Sequence, residues 1–306
     1  MAAPSNTFLT TSVVGNREDL TDTIYRISPT QTPTLNLASK AKASNTLHEW
    51  QVQDLASAAA NAQAEGDDAS AKTVTPTVRL NNRTQISTKT VSVSGTQQAM
   101  NPAGRKDELA YQLSLASLEL KRDMELGLTQ NDVLATSPRS SRGLRGWIVD
   151  NVNNNGGTLA SYTANTGYTA GTQRAFTEAQ LKDVAQKVYT AGGEPDTLML
   201  SPAAKQTFSG FTGNATRFDK SEDAKLYASV DFYVTDFGTL QAVPNRFQAA
   251  RDVFVLQADK LAIAYLRPFQ TVEIAKTGDS ERRELIVEYT LECRAPKAHG
   301  AVYDIL

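Results

Sequence analysis

Catalysis needs nucleophiles, bases and metal ligands placed together, and this chain holds few of them. His48 and His299 are the only imidazoles and Cys293 the only thiol in 306 residues. A serine or cysteine triad requires a histidine base. His48 lies in a Pro- and Thr-rich N-terminal stretch, and His299 lies in the turn Pro296-Lys297-Ala298-His299-Gly300. Each reads as a surface or packing residue. Cys293 falls in a strand of mixed character, where a small core residue fits better than a nucleophile. One cysteine allows no intrachain disulfide. One thiol with two distant imidazoles also argues against a Cys/His zinc site, although a carboxylate-only Mg or Ca site stays open. Asp67-Asp68 sit in a solvated alanine-rich stretch that would not shift a carboxyl pKa usefully. Asp236-Phe237-Gly238 matches the kinase metal-binding triplet, but no glycine-rich loop, strand lysine or His-Arg-Asp loop accompanies it. No phosphate loop, serine elbow or paired-histidine zinc helix is present. The expectation is a protein without catalytic residues, cofactor or metal.

Charge points the same way. The stretch SPRSSRGLRG, 137–146, carries Arg139, Arg142 and Arg145 in a turn-rich loop. These guanidinium groups suit phosphates or carboxylates on a neighbour; the plainer reading is a solvated loop. The net charge is -2 and the pI about 5.8, so the chain lacks the basic field of a dedicated nucleic-acid binder. Charged residues make up 21% and hydrophobic ones 40%, which is ordinary for a globular protein that builds its own core. The first residues have no basic start or sustained apolar core, so no secretory signal is expected. Nothing approaches about 18 uninterrupted apolar residues, so no membrane span is expected. The protein should be made and kept in the cytoplasm.

The elements that must hold these residues are uneven. Residues 1–50 show little periodicity and read as an arm lying on something else, with one helical turn over Thr21 to Ile27. Residues 56–71, ASAAANAQAEGDDASA, have no large apolar side chain and cannot build a core. Residues 73–94 are rich in Thr, Val and Ser and predict a two-stranded ribbon. Its few apolar contacts, Leu80, Ile86, Val91 and Val93, do not make a continuous face. Such a ribbon is marginal alone and should add little to the isolated subunit. Asn101-Pro102 predicts a helix start, and 105–129 then runs without a breaker until Gly127. Leu109, Leu113, Ala116, Leu120 and Met124 recur on one helical face. This rod reads as a spine. Residues 151–175 are Asn-, Gly- and Thr-rich and irregular. Thr177 and Gln180 predict a capping box, with Phe176 stapled on Leu181. Leu181, Val184, Ala185, Val188 and Tyr189 share the buried face up to Gly192-Gly193. A strand to Leu200 and a helix from Ser201-Pro202 through Phe208 follow. Strands are expected at 230–236, 239–243, 252–257, 260–266, 270–275, 284–294 and 301–305, with a hairpin turn at Gly278-Asp279. Arg282, Glu284, Glu288 and Glu292 predict a wet strand face. The class is α+β without a parallel βαβ rhythm.

This order, an arm, a polar extension, a long spine helix, an α/β lobe and returning strands, resembles the capsid fold of tailed bacteriophages, the Hong Kong 97-type fold. More narrowly the chain resembles the SU-type phage major capsid proteins. The phrases that carry the resemblance are Arg142-Gly143-Leu144-Arg145-Gly146-Trp147, Leu198-Met199-Leu200-Ser201-Pro202, Glu288-Tyr289-Thr290-Leu291-Glu292 and Pro296-Lys297-Ala298-His299-Gly300.

The resemblance implies a division into an N-terminal arm, 1–55, and an extended loop, 56–96. A peripheral lobe, 97–175, would be joined by return strands, 267–306, and an axial lobe would span 176–266. It implies a structural subunit that assembles with copies of itself into hexamers and pentamers of a shell around double-stranded DNA. Portal, scaffold or decoration proteins would be partners, contact with DNA would be non-specific, and no membrane would be involved. The chain would be synthesised in the host cytoplasm and end in the virion capsid. Leu80, Arg83, Ile86, Lys89, Val91, Arg139, Arg142 and Arg145 are then the expected intersubunit residues. Some relatives carry a Lys–Asn isopeptide bond; Lys72 and Lys89 lie near the extension, but no catalytic Glu or partner Asn can be matched. An encapsulin-like compartment shell and a phage tail or decoration protein are the competing readings.

Overall fold

The computed structural model describes residues 30–63, 65–66, 68, 71, 73–100, 107–211 and 232–306. The chain enters through helix α1 (Pro33–Leu37), strand β1 (Ser39–Lys42) and strand β2 (Leu47–Val52). After a long exposed stretch come β3 (Val78–Arg83), β4 (Gln85–Ser94) and a short helix α2 (Gly95–Ala99). The spine helix α3 (Glu108–Gln130) follows, then a small hairpin, β5 (Ala135–Thr136) and β6 (Arg139–Ser140), one turn of helix α4 (Leu144–Trp147) and β7 (Asn151–Asn153). The second half holds α5 (Glu178–Thr190), β8 (Thr197–Leu200), α6 (Pro202–Ser209), β9 (Phe232–Thr235), β10 (Gly238–Pro244) and β11 (Val253–Leu256). Two 14-residue strands, β12 (Leu261–Ile274) and β13 (Ser280–Cys293), and a short β14 (Gly300–Val302) complete it.

Two sheets organise the body. One has the order β1-β12-β13-β4, the other β7-β14-β11-β8-β10-β9. In the six-stranded sheet, side chains alternate between two cores, as the period of a strand requires. Leu198, Leu200, Val253, Val255 and Val302 face α5 and α6, together with Leu181, Val184 and Phe208. Met199, Phe254, Leu256 and Ala301 face the other way, into the core built on the spine. There Leu120, Met124 and Leu128 of α3 meet Leu261, Ile263, Leu285, Val287, Tyr289 and Leu291 of the long strands. Each of these fully buried large side chains is worth about 1.5–3 kcal/mol over an exposed one.

Local chemistry sets the helix ends. The Thr177 N–H donates to Gln180 Oε1 at 3.2 Å, which is half of the expected capping box. Ser201 Oγ accepts from the Ala204 N–H at 3.3 Å, with Pro202 at the first helical position. Gly192 ends α5 at φ +89°, where a Cβ would be strained.

The structure departs from the sequence reading in several places. β3 and β4 do not form a ribbon with each other: β3 pairs with β2 and β4 with β13. The Thr84 N–H between them donates to the Thr46 carbonyl at 2.9 Å, and the chain passes from one sheet to the other. The stretch 30–52, expected as an arm lying on something else, is built into the chain's own sheets: β1 adds in parallel to β12 and β2 pairs with β3. The spine begins at Glu108, where Asp107 accepts from the Ala110 N–H at 3.1 Å, and it passes through Gly127 to Gln130. The Asn101-Pro102 start and the turn at Thr21 to Ile27 lie outside the described residues. The strands expected at 260–266 and 270–275 are one strand, β12, with register shifts on either side of Arg267; Pro268, which has no N–H to donate, sits in that irregular part. The wet face fails at its far end: Glu288 and Glu292 are buried. Tyr189 turns outward and stacks on Phe237. Finally, β7 and β14 lie in the sheet of β8–β11, so boundaries at 175/176 and 266/267 do not follow the sheets.

Candidate assembly surfaces

The residues expected between subunits fall into two groups. Most are spent inside the chain. Leu80 is buried opposite Trp50 and belongs to the spine core. Val91 packs on the same core, and Arg83 is half-buried. Lys89 reaches the spine, with Nζ 2.9 Å from Asp123 and 4.0 Å from Glu119. Ile86 alone keeps a large exposed apolar side chain.

The basic loop proves internal. Arg139 lies 2.8 Å from Glu288 and donates to Thr84 Oγ1 at 3.1 Å. Arg142, 1% exposed, lies 4.9 Å above the Trp147 ring and donates to Asn165 Oδ1 at 2.9 Å. Burial lowers its pKa to about 10. Arg145 donates to Asp252 at 2.8 Å and covers the Tyr168 ring at 5.4 Å. A planar guanidinium on a long apolar stem suits such aromatic, half-dry sites. All three guanidinium groups are paired within the chain, so the solvated-loop reading does not hold.

Buried polar groups bolt the elements together. Asn82 donates to the carbonyls of Arg142 and Leu291 at 2.9 and 2.8 Å, and its Oδ1 accepts from the Arg142 N–H at 2.9 Å. β3 is thereby fixed to the post-spine loop and to β13. Burial pulls the Glu288 carboxyl upward, but Thr84, Arg267 and Arg139 hold it below the ordinary range. Glu125 accepts from the N–H groups of Thr34 and Leu35 at 2.8 and 3.0 Å and from Asn245 at 2.7 Å, which clips α1 to the spine. Burial raises its pKa. Asp304, at φ +62°, accepts from Tyr168 Oη at 2.6 Å and from the Gly171 N–H at 2.8 Å, and so orders the irregular 151–175 segment. His48 meets Glu292 at 3.1 Å, and His299 is wholly buried. Cys293 is buried too, and burial pushes its thiol up. No group of three or more His, Cys, Asp or Glu side chains among the described residues is arranged to hold a metal ion.

Among the described residues, exposed apolar side chains gather in three places, apart from Ile86, Met100, Leu126 and Leu306. Residues 53–79 are exposed wherever they are described, with Leu55 at 96% and Val74 at 83%. The free side of β9 and its turn carries Phe232, Val234 and Phe237 beside Tyr189. The outer part of the long hairpin shows Phe269 and Val272. Sequence reasoning found the first of these through its composition. It missed the second because Phe232 and Val234 alternate with buried Tyr233 in a strand that reads as ordinary core.

Comparison with known proteins gives the architecture a class. The capsid asymmetric unit of Cyanophage A-1(L) matches with a TM-score of 0.68 and 14% identity over 97% of this chain and 98% of that one. The holo-SrpI encapsulin complex of Synechococcus elongatus PCC 7942 matches at 0.59 and 12%, over 94% and 92%. The fold is thus the Hong Kong 97-type shell fold, which these two kinds of particle share. Sequence narrows the class. The model for SU10 major capsid proteins matches residues 4–306, and the major capsid protein of Escherichia phage Phieco32 is 29% identical over 94% of both chains. The chain belongs to the SU10 major capsid protein family: it is a major capsid protein of a tailed phage.

Proposed function

We propose that the chain works by binding copies of itself, as hexamers and pentamers that close into a shell around double-stranded DNA, without catalysis. One observation carries this reading. The segment 53–79 is exposed wherever described and bears Leu55 and Val74, while both its ends run into strands anchored on the core. Exposed apolar side chains on an extension without a core of its own gain stability only against another molecule. Obligate interfaces can bury over about 2,000 Å², and closure adds many weak contacts together. Portal, scaffold and decoration proteins are the further partners of such a shell. Synthesis in the host cytoplasm and incorporation into the virion capsid follow from the same reading. An encapsulin-like compartment has the same fold, but membership in a phage capsid family favours the phage reading.

The test is negative-stain microscopy and sedimentation of the expressed chain, alone and with the phage's own assembly factors. Capsomers or closed particles tens of nanometres across are expected. A monomer that persists at high concentration under both conditions would overturn the proposal.

A further inference from the structure

Two fully buried carboxyl groups meet at one end of the six-stranded sheet. Val253 of β11 pairs with Val302 of β14, which brings Asp252, just before β11, beside the turn of Asp304, just after β14. Their partners are unequal. Asp304 is saturated: it accepts from Tyr168 Oη at 2.6 Å and from the N–H groups of Gly171 and Asn155 at 2.8 and 3.2 Å. Asp252 is not. Arg145 Nε donates to its Oδ2 at 2.8 Å and Arg145 Nη2 donates to the same oxygen, while Oδ1 is buried and meets no donor among the described residues. A guanidinium on a carboxylate commonly puts one N–H on each oxygen. Here one oxygen is left over in a dry site, and an unpartnered buried carboxylate oxygen is costly unless it takes a proton. Burial raises the Asp252 pKa to about 6 from an ordinary 3.8; Arg145 and Arg251 oppose the rise and Asp304 adds to it. The phenols around the pair, Tyr168 and Tyr303, hold their protons throughout, because burial raises both.

This pair ties down the irregular 151–175 segment. Asn155, Tyr168 and Gly171 all bond to Asp304. The Tyr168 ring also lies over the Arg145 guanidinium at 5.4 Å and against the Tyr303 ring at 5.1 Å. Tyr168 is thus a lid on Arg145, and lifting the segment would bring water to Arg145 and Asp252.

We propose that Asp252 and Asp304 form a proton-operated joint, which holds the 151–175 segment on the sheet while Asp252 carries a proton and loosens it when Asp252 ionises. The sign follows from linkage. A carboxyl whose pKa is raised in the closed state favours closure fully below its exposed value, and that advantage is lost as the pH rises through the raised value. Between an exposed 3.8 and a closed value of about 6, opening becomes up to about tenfold more frequent per pH unit, about a hundredfold in all. Above about pH 6 it levels off. The joint works within one subunit, so it stands apart from self-assembly.

Hydrogen exchange of the full-length chain, read by mass spectrometry between about pH 4 and pH 8 and corrected for the chemical exchange rate, tests the joint. Protection of peptides within 151–175 should fall by up to about a hundredfold from about pH 4 to about pH 6 and stay level above, while peptides of the spine do not follow that curve. Asp252→Asn still offers an oxygen to Arg145 but cannot ionise, so protection of 151–175 in that variant should be flat over the same range. A flat profile in the parent would overturn the joint, as would a profile in Asp252→Asn that matches the parent's. The parent profile decides by itself if Asp252→Asn does not fold.

Discussion

At the residue scale, the informative side chains are buried polar ones that the sequence disguises. His299 reads as a turn residue, yet it is fully buried, and its Nδ1 accepts from the Gln257 N–H at 3.2 Å. Burial lowers its pKa to about 4, from 6.5 in an exposed chain. The folded state therefore resists the proton that the unfolded state takes up below about pH 6.5. Stability from this group is complete above about pH 6.5 and is lost as the pH falls toward about 4, by at most ~3 kcal/mol. Asp252 acts in the opposite sense, since burial raises its pKa even beside Arg145; its contribution fades as the pH rises. His299→Asn keeps an acceptor for Gln257 and removes the titration. Urea melts between about pH 4 and pH 8 should show a shallower acid loss for the variant than for the parent. Equal slopes would mean that His299 is not what the acid limb reports. The histidine's burial was illegible because a single imidazole beside Gly300 gives no periodic signal.

At the element scale, legibility followed periodicity. The spine and α5 were readable because their apolar residues repeat every three or four positions, and Thr177 with Gln180 marks the start of α5. The pairing of β3 and β4 was not readable. Two adjacent polar strands predict a hairpin, but Leu80 and Asn82 of β3 are committed to the core and Val93 of β4 is buried, so the strands part and join different sheets. Sequence carries no register for contacts between β4 and β13, which are distant along the chain. This moves the line between folding and assembly. Residues 78–94 belong to the fold, and the separable part is the exposed stretch before them. Replacing 56–73 with a short Gly-Ser linker should leave the thermal unfolding curve nearly unchanged, within about 0.5 kcal/mol for surface residues, and should abolish normal particles. Extending the deletion to 58–92 should unfold the subunit, because it removes Leu80, Asn82 and the β4 edge. Circular dichroism and sedimentation on both variants check the pair; a folded 58–92 deletion would contradict the placement of β3 and β4.

At the scale of the whole molecule, charge decides how the chain can meet DNA. The 31 basic residues are outnumbered by 33 acidic ones. The arginines of the loop after the spine are consumed: Arg139 by Glu288, Arg142 by Trp147 and Asn165, and Arg145 by Asp252. Releasing any of them toward phosphate would leave a buried carboxylate or an aromatic cage without its cation, at a cost of about 3–5 kcal/mol for a broken buried pair. A phosphate contact on the surface cannot recover that in physiological salt. Contact with DNA should therefore be weak, indifferent to sequence and carried by scattered surface cations. Its affinity should fall steeply as salt rises, because binding by phosphate contact alone is driven by counterion release. Fluorescence anisotropy with two short duplexes of unrelated sequence, titrated over a salt series, measures this directly. The two duplexes should give the same weak curve, vanishing near physiological ionic strength. Arg145→Ala should lower the melting temperature and leave that curve where it was. Salt-tolerant binding to one duplex, or loss of binding in Arg145→Ala with the fold intact, would show that the arginine loop opens toward nucleic acid after all.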